Sequence, residues 1–160
     1  MTKRCIIADD VRSARELLAA WMAEIGYHCA LVPDGDEAIR QLHIGSVELI
    51  ISDIEMPKCN GLQLLAWIRS QSDAKYQSLP VIMVSSLDDS KMFEVVKNFG
   101  ANGAICKPLD RLQIHKMVSA IETGASWVQC EPNQLSGAPL PAVSPKLRRM
   151  ADALRDLQDR

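Results

Sequence analysis

Short apolar runs alternate with amphipathic stretches five times along this chain, and that alternation limits the folds open to it. The runs are Cys5-Ile6-Ile7-Ala8, His28-Cys29-Ala30-Leu31-Val32, Leu49-Ile50-Ile51-Ser52, Val81-Ile82-Met83-Val84 and the weaker Ala104-Ile105-Cys106. Runs of this length, apolar at consecutive positions and followed by turn residues, suit strands buried on both faces. Between them the apolar period lengthens to that of a helix. Leu17, Leu18, Trp21, Met22 and Ile25 form a stripe at spacings of three and four, with Ser13 and Glu16 at capping-box spacing and Gly26 at the C-terminal stop. Further helices are predicted from Asp36 to Leu42, closed by Gly45, and from Leu62 to Ile68. A fourth runs from Lys91 to Phe99, ending at Gly100, and a fifth follows Pro108, with Leu112, Ile114, Met117, Val118 and Ile121. Strands alternating with helices predict an α/β domain: a parallel sheet with helices on both faces and right-handed crossovers.

In such sheets ligands bind beyond the carboxyl ends of the strands, so the residue that ends each run matters most. The first run ends in Asp9-Asp10, the third in Asp53, the fourth in Ser85-Ser86 and the fifth in Lys107-Pro108. Three carboxylates, a hydroxyl and an ammonium therefore converge on one edge. Clustered carboxylates repel unless a cation intervenes. Lys107 supplies one positive charge, and a divalent metal would supply the rest. Oxygen ligands without His or Cys favour Mg2+ over zinc, and Mg2+ commonly joins one or two carboxylates to a phosphate. A carboxylate in such a site can act as a nucleophile and form an aspartyl phosphate. No G-x-x-x-x-G-K-[ST] loop is present, which argues against a P-loop nucleotide site.

Taken together in this order, Asp9-Asp10, Asp53 with Met56-Pro57 and Gly61 in its following loop, Ser85, and Lys107-Pro108 resemble the receiver domains of two-component response regulators. The resemblance covers about residues 3 to 123. It implies a flavodoxin-like (βα)5 three-layer sandwich with a five-stranded parallel sheet in the order 2-1-3-4-5. It also implies that Asp53 accepts a phosphoryl group from a partner sensor histidine kinase or phosphotransfer protein. Asp10 and Asp53 would bind Mg2+ with the backbone carbonyl of Glu55, and Asp9 would act largely through water. Ser85 and Lys107 would bind the phosphoryl oxygens, and the Lys107-Pro108 bond would be cis. The chain would not be an enzyme with a separate substrate. It would signal by changing its affinity for an unknown downstream protein.

Two departures stand out. The family often carries Tyr or Phe three residues before the lysine, where this chain has Ala104. The output surface of the fourth helix, fifth strand and fifth helix would therefore respond differently. Glu55 and Leu87 stand two residues after Asp53 and Ser85, at positions that in the family tune how fast the phosphoryl group is lost. Ala104 and Glu55 favour an alternative, a receiver-like constitutive protein-binding scaffold that is not phosphorylated. A metal-dependent phosphatase with an aspartyl nucleophile would need a general acid, for which Glu55 is the one candidate.

Other features narrow the setting. The 160-residue chain has a formal net charge of -2, which offers no basic field for nucleic acid. Its N-terminal apolar stretch is too short for a signal peptide, and no window approaches the roughly eighteen apolar residues of a membrane helix. A cytoplasmic location is expected. The five cysteines, Cys5, Cys29, Cys59, Cys106 and Cys130, lack framework spacing and read as free thiols, with Cys5, Cys29 and Cys106 as small core residues. His28, His43 and His115 lack ligand spacing. Trp21 and Trp67 read as helix-face core residues, and Trp127 as either a tail anchor or a partner contact.

Residues 1–123 are thus assigned to the receiver domain and residues 124–145, rich in Pro, Gly and Ser, to a linker. Residues 146–160 form a short amphipathic segment with Leu147, Met150, Leu154 and Leu157 at helical spacing. That segment could dock on its own domain, meet a partner or a second copy, or begin a longer output region. Homodimerisation through it, or through the face of the fourth helix, fifth strand and fifth helix, remains open.

Overall fold

The computed structural model describes residues 2–86 and 90–130. The strands are β1 (Lys3–Ala8), β2 (Tyr27–Val32), β3 (Leu49–Asp53), β4 (Val81–Ser85), β5 (Gly103–Cys106) and β6 (Val128–Cys130). The helices are α1 (Arg12–Ala23), α2 (Gly35–Leu42), α3 (Gly61–Ser70), α4 (Ala74–Gln77), α5 (Ser90–Asn98) and α6 (Arg111–Glu122). All strand pairs are parallel, in the order β2-β1-β3-β4-β5-β6.

Alternate residues of each strand enter opposite cores. Ile6, Ala8, Ile50, Met83 and Ala104 pack with Ala38 and Leu42 of α2, Leu64, Leu65 and Ile68 of α3, and Phe93 and Val96 of α5. Cys5, Ile7, Leu49, Ile51, Ile82, Val84 and Ile105 pack with Leu18 and Met22 of α1 and with Ile114, Met117, Val118 and Ile121 of α6. Both faces of β3, β4 and β5 are therefore covered, which is why these strands are apolar without alternation, whereas the edge strand β2, expected from its run to be buried on both faces, leaves His28 and Leu31 exposed. The sheet order reverses between β1 and β3, and the crevice this opens lies at the ends that carry Asp9, Asp10 and Asp53.

The sheet has one strand more than the five expected. Residues 128–130, read from composition as linker, extend the ladder along the outer edge of β5. The Val128 amide donates to the Asn102 carbonyl at 2.9 Å and so starts that pairing. The short helix α4 was also unforeseen; Asp73 caps it by accepting from the Lys75 amide at 3.0 Å.

Local expectations differ at several points. Helix α1 begins at Arg12 with Val11 as N-cap and no side-chain cap. Ser13 is thus inside the helix, and Glu16 pairs with Arg12 at 2.9 Å and forms no capping box with Ser13. Leu17 and Leu112 are exposed, at 49% and 59%, because the buried stripes of α1 and α6 are narrower than the apolar stripes in the sequence. Helix α2 ends on His43 before reaching Gly45. Gly26 and Gly100 do follow their helices with positive φ, at 91° and 94°, where a side chain would strain the backbone.

None of the five cysteines is in a disulfide among the described residues; Cys5 and Cys106 are buried and Cys29 half-buried. Trp21 and Trp67 are half-buried against the two cores. Trp127 packs against the domain, with Lys97 of α5 5.6 Å from its ring. No helix among the described residues is long and apolar enough to cross a membrane. Leu87 and the 146–160 segment lie outside the described residues.

Candidate functional site

Each strand-end residue reaches the crevice because its strand stops there. Asp9 directly follows β1, Asp53 is the last residue of β3, Ser85 the last of β4, and Lys107 follows β5. Lateral register aligns them: Ala8 lies beside Ser52, Asp53 beside Val84, and Ser85 beside Cys106. The Lys107 amide donates to the Ser85 carbonyl at 2.7 Å and continues the ladder by one residue. The Lys107–Pro108 bond is cis.

Lys107 links the acidic residues. Its Nζ lies 2.9 Å from Asp53 Oδ2 and 3.2 Å from Asp9 Oδ2. Asp9 and Asp53 are 2% and 6% exposed, while Asp10 faces solvent. One carboxylate oxygen from each of Asp9, Asp10 and Asp53 lies within 4.8 Å of the others. Three carboxylates against one ammonium leave a formal deficit of positive charge. Burial pushes the Asp53 carboxyl above its usual range; the hydrogen bond and charge of Lys107 oppose this only in part, and Asp9 adds to the push. Burial also works against the charge on Lys107, but Asp53 and then Asp9 outweigh it and hold the ammonium above its ordinary value.

The surrounding backbone holds these groups in place. Asp9 Oδ1 accepts from the Val11 amide at 2.8 Å, and the Asp9 carbonyl accepts from Arg15 Nη1 at 2.6 Å. The Glu55 amide donates to Asp53 Oδ1 at 3.4 Å, and the Glu55 side chain is exposed. Lys58 turns the following loop with φ 62°. Asn60 then starts α3 with a complete capping box, accepting from the Gln63 amide at 2.9 Å while Gln63 Oε1 accepts from the Asn60 amide at 3.0 Å. Asp10, Glu55, Met56, Lys58 and Asn60 line an open cleft beside the carboxylates. Sequence reasoning missed Arg15 and Asn60; the Asn-x-x-Gln spacing ahead of Leu64 was the available signal for Asn60.

The three carboxylates fit a hard divalent cation in their donor chemistry, their spacing and their excess of negative charge. Ala104, three residues before Lys107, is buried between Met83 on β4 and Gln129 on β6. His28 and His43 are exposed, and His115 donates from Nε2 to the Trp21 carbonyl at 2.8 Å; none reaches the crevice.

A family model described as a response regulator receiver domain matches residues 5–119. Response regulator RR06 of Streptococcus pneumoniae is 29% identical over 116 residues, covering 72% of this chain and 51% of that protein. The chemotaxis response regulator CheY4 of Vibrio cholerae superposes with a TM-score of 0.70 at 24% identity, over 76% of this chain and 99% of that one, a likeness of fold. A CheX–CheY complex from Borrelia burgdorferi containing BeF3 and Mg2+ gives a TM-score of 0.68 at 26% identity, over 75% of this chain and 89% of that one. Among curated relatives with the strongest matches, the chain spans between 17% and 54% of the relative's length.

Proposed function

The chain belongs to the response-regulator receiver family, and from that premise we propose that it is a phosphorylation-switched signalling module with Asp53 as phosphoacceptor. The observation that carries this reading is the position of Lys107, within 3.2 Å of both Asp9 and Asp53, at the mouth of a three-carboxylate cluster. A carboxylate oxygen of Asp53 attacks the phosphorus of a phosphohistidine on a partner kinase or phosphotransfer protein. The P–N bond breaks, its electron pair returns to the imidazole, and a P–O bond to Asp53 forms. Lys107 moves its contact from the Asp53 carboxylate to a phosphoryl oxygen, and the Ser85 hydroxyl donates to another. Asp9, Asp10, Asp53 and the Glu55 carbonyl would hold Mg2+, which when bound neutralises charge on the transferred oxygens. Hydrolysis by water restores the Asp53 carboxylate and releases inorganic phosphate.

Partner affinity would change through β5, because Lys107 is joined directly to that strand. The surface next to β5 differs from the one the resemblance implies, since β6 occupies the outer edge of β5. A downstream protein or a second copy approaching this side meets β6 and Trp127.

The second reading, a constitutive scaffold, is favoured by Ala104, which supplies no aromatic ring to couple Ser85 to the surface. Intact-mass measurement separates the two. The whole chain is incubated with Mg2+ and a small acyl-phosphate donor, and then with candidate kinases, with Asp53→Ala alongside. One added phosphoryl group on the unmodified chain alone supports the switch. No addition under any of these conditions supports the scaffold.

A further inference from the structure

Cys5 on β1 and Cys29 on β2 are direct register partners. In-register neighbours on parallel strands project to the same sheet face, and both residues here contribute to the core under α1 and α6. Their side chains are close enough to perturb one another's ionisation, and Cys5 Sγ donates to the Ile6 carbonyl at 3.5 Å. Adjacent strands lie about 4.8 Å apart. A disulfide spans Cα separations of about 4.4–6.8 Å, so the strand spacing already falls within its range. Among the described residues β2 is an outer strand of the sheet, paired to β1.

The two thiols differ in access and in acidity. Cys5 is wholly buried and Cys29 half-buried. Burial pushes the Cys5 thiol well up, whereas the neighbouring Cys5 side chain draws the Cys29 thiol down. Cys29 is therefore the accessible nucleophile and Cys5 the proton-bearing neighbour behind it. Elsewhere burial, aided by Asp36 and Asp34, pushes Cys59 up to about 11, and burial also raises Cys130. Cys106 and Cys130 lie on neighbouring strands but enter opposite cores, so their register forms no such pair.

We propose that Cys29 is a hydroperoxide-reactive thiol and Cys5 its resolving partner, so that oxidation ties β1 to β2. The Cys29 thiolate attacks the terminal oxygen of the hydroperoxide. An S–O bond forms, the O–O bond breaks, and the departing oxygen takes a proton to leave as water or an alcohol. The Cys5 sulfur then attacks the Cys29 sulfenic sulfur. An S–S bond forms, the S–O bond breaks, and the hydroxide leaves as water with the Cys5 proton. Two thiols lose two electrons and one hydroperoxide gains them.

The test treats the reduced whole chain with hydrogen peroxide, quenches it, and maps cysteine-containing peptides alongside intact mass. The expected result is a loss of two hydrogen atoms and a Cys5–Cys29 linked peptide, reversed by a dithiol reductant. In Cys5→Ser, reaction should stop at a Cys29 sulfenic acid that dimedone traps. In Cys29→Ser, Cys5 should stay reduced while the chain remains folded. Overturning results are a Cys29 that survives peroxide doses that consume a small free thiol at the same pH, or a linkage joining any other pair. Failure of the linkage with dimedone-trapped Cys29 in the unmodified chain would equally overturn Cys5 as resolving partner.

Discussion

Gly61 packs its Cα directly against the backbone that ends β3, so a β-carbon there would overlap the Asp53 carbonyl oxygen and approach Ile54 Cα to 2.9 Å. The Gly61 amide also donates to the Ile54 carbonyl at 2.9 Å. The backbone of α3 thus braces the strand end that presents Asp53. Gly61→Ala forces these backbones apart, and overpacking of this kind costs about 2 kcal/mol. Urea denaturation should show that loss with an unchanged slope. Phosphoryl incorporation at Asp53 should fall as well, since the carboxylate loses its fixed position.

Asp53 and Asp9 crowd two buried carboxylates around one lysine. Asp53→Asn removes a carboxylate whose charged form the fold disfavours. In metal-free buffer at neutral pH the variant should therefore be more stable than the parent, read as a higher melting temperature. Added Mg2+ should raise the parent's melting temperature with concentration, as for a ligand bound only by the folded state, and should act far more weakly on the variant.

Arg69 clamps two chain segments at the opposite end of the sheet, the stretches that lead into β4 and β5. Its guanidinium donates to the carbonyls of Gly100, Tyr76 and Leu79 at 2.9, 2.8 and 2.7 Å and to Asn102 Oδ1 at 2.9 Å. Arg69→Ala should cost about 3 kcal/mol, because it strips charged donors from several acceptors together. Arg69→Lys should recover only a minor part, since one ammonium cannot span the planar fork. Thermal unfolding of the two variants checks both statements.

Glu122 links the last turn of α6 to β1 and β2 by accepting from Tyr27 Oη at 2.6 Å and Lys3 Nζ at 2.9 Å. Those hydrogen bonds, Tyr27's foremost, hold its carboxyl below the usual value of 4.5. A carboxyl with a depressed folded pKa contributes stability above its unfolded pKa and loses it as pH falls through the folded one. Glu122→Gln should therefore flatten the acid limb of the stability profile below about pH 4.5. Burial, followed by the bond to Glu122, raises the Tyr27 phenol above the tyrosine range. Ultraviolet titration should show Tyr27 ionising at lower pH in Glu122→Gln, with the part due to burial retained.

Strand β6 is three residues long and rests on the Val128–Asn102 hydrogen bond, the β5 ladder and the contact of Trp127 with Lys97. Trp127→Ala should loosen it. Amide exchange at residues 128–130 should accelerate by about tenfold for a loss near 1.4 kcal/mol, while the central strands β1 and β3 keep their protection.

Much of this protein could be read along the chain because the governing physics is local. Five apolar runs identify five of the strands, although β2 at the edge is only partly covered, and in a parallel sheet every strand presents its carboxyl end on the same side. Asp9, Asp10, Asp53, Ser85 and Lys107 could therefore be assigned to one crevice before any coordinates. What needed the tertiary structure was lateral and long-range. Val128–Cys130 becomes a strand only because β5 offers an open edge; its three residues carry no pattern of their own. Nothing in the spacing of Cys5 and Cys29 reveals that β1 and β2 set them side by side, since register depends on how two cores close together. Arg69 looks like any surface arginine until Tyr76, Leu79, Gly100 and Asn102 gather around it. Leu17 and Leu112 fit their apolar stripes, yet the width of the groove between helix and sheet leaves them in solvent. Sequence periodicity assigns a residue to a face of its own element, whereas contacts between elements depend on distances that only the packed chain possesses.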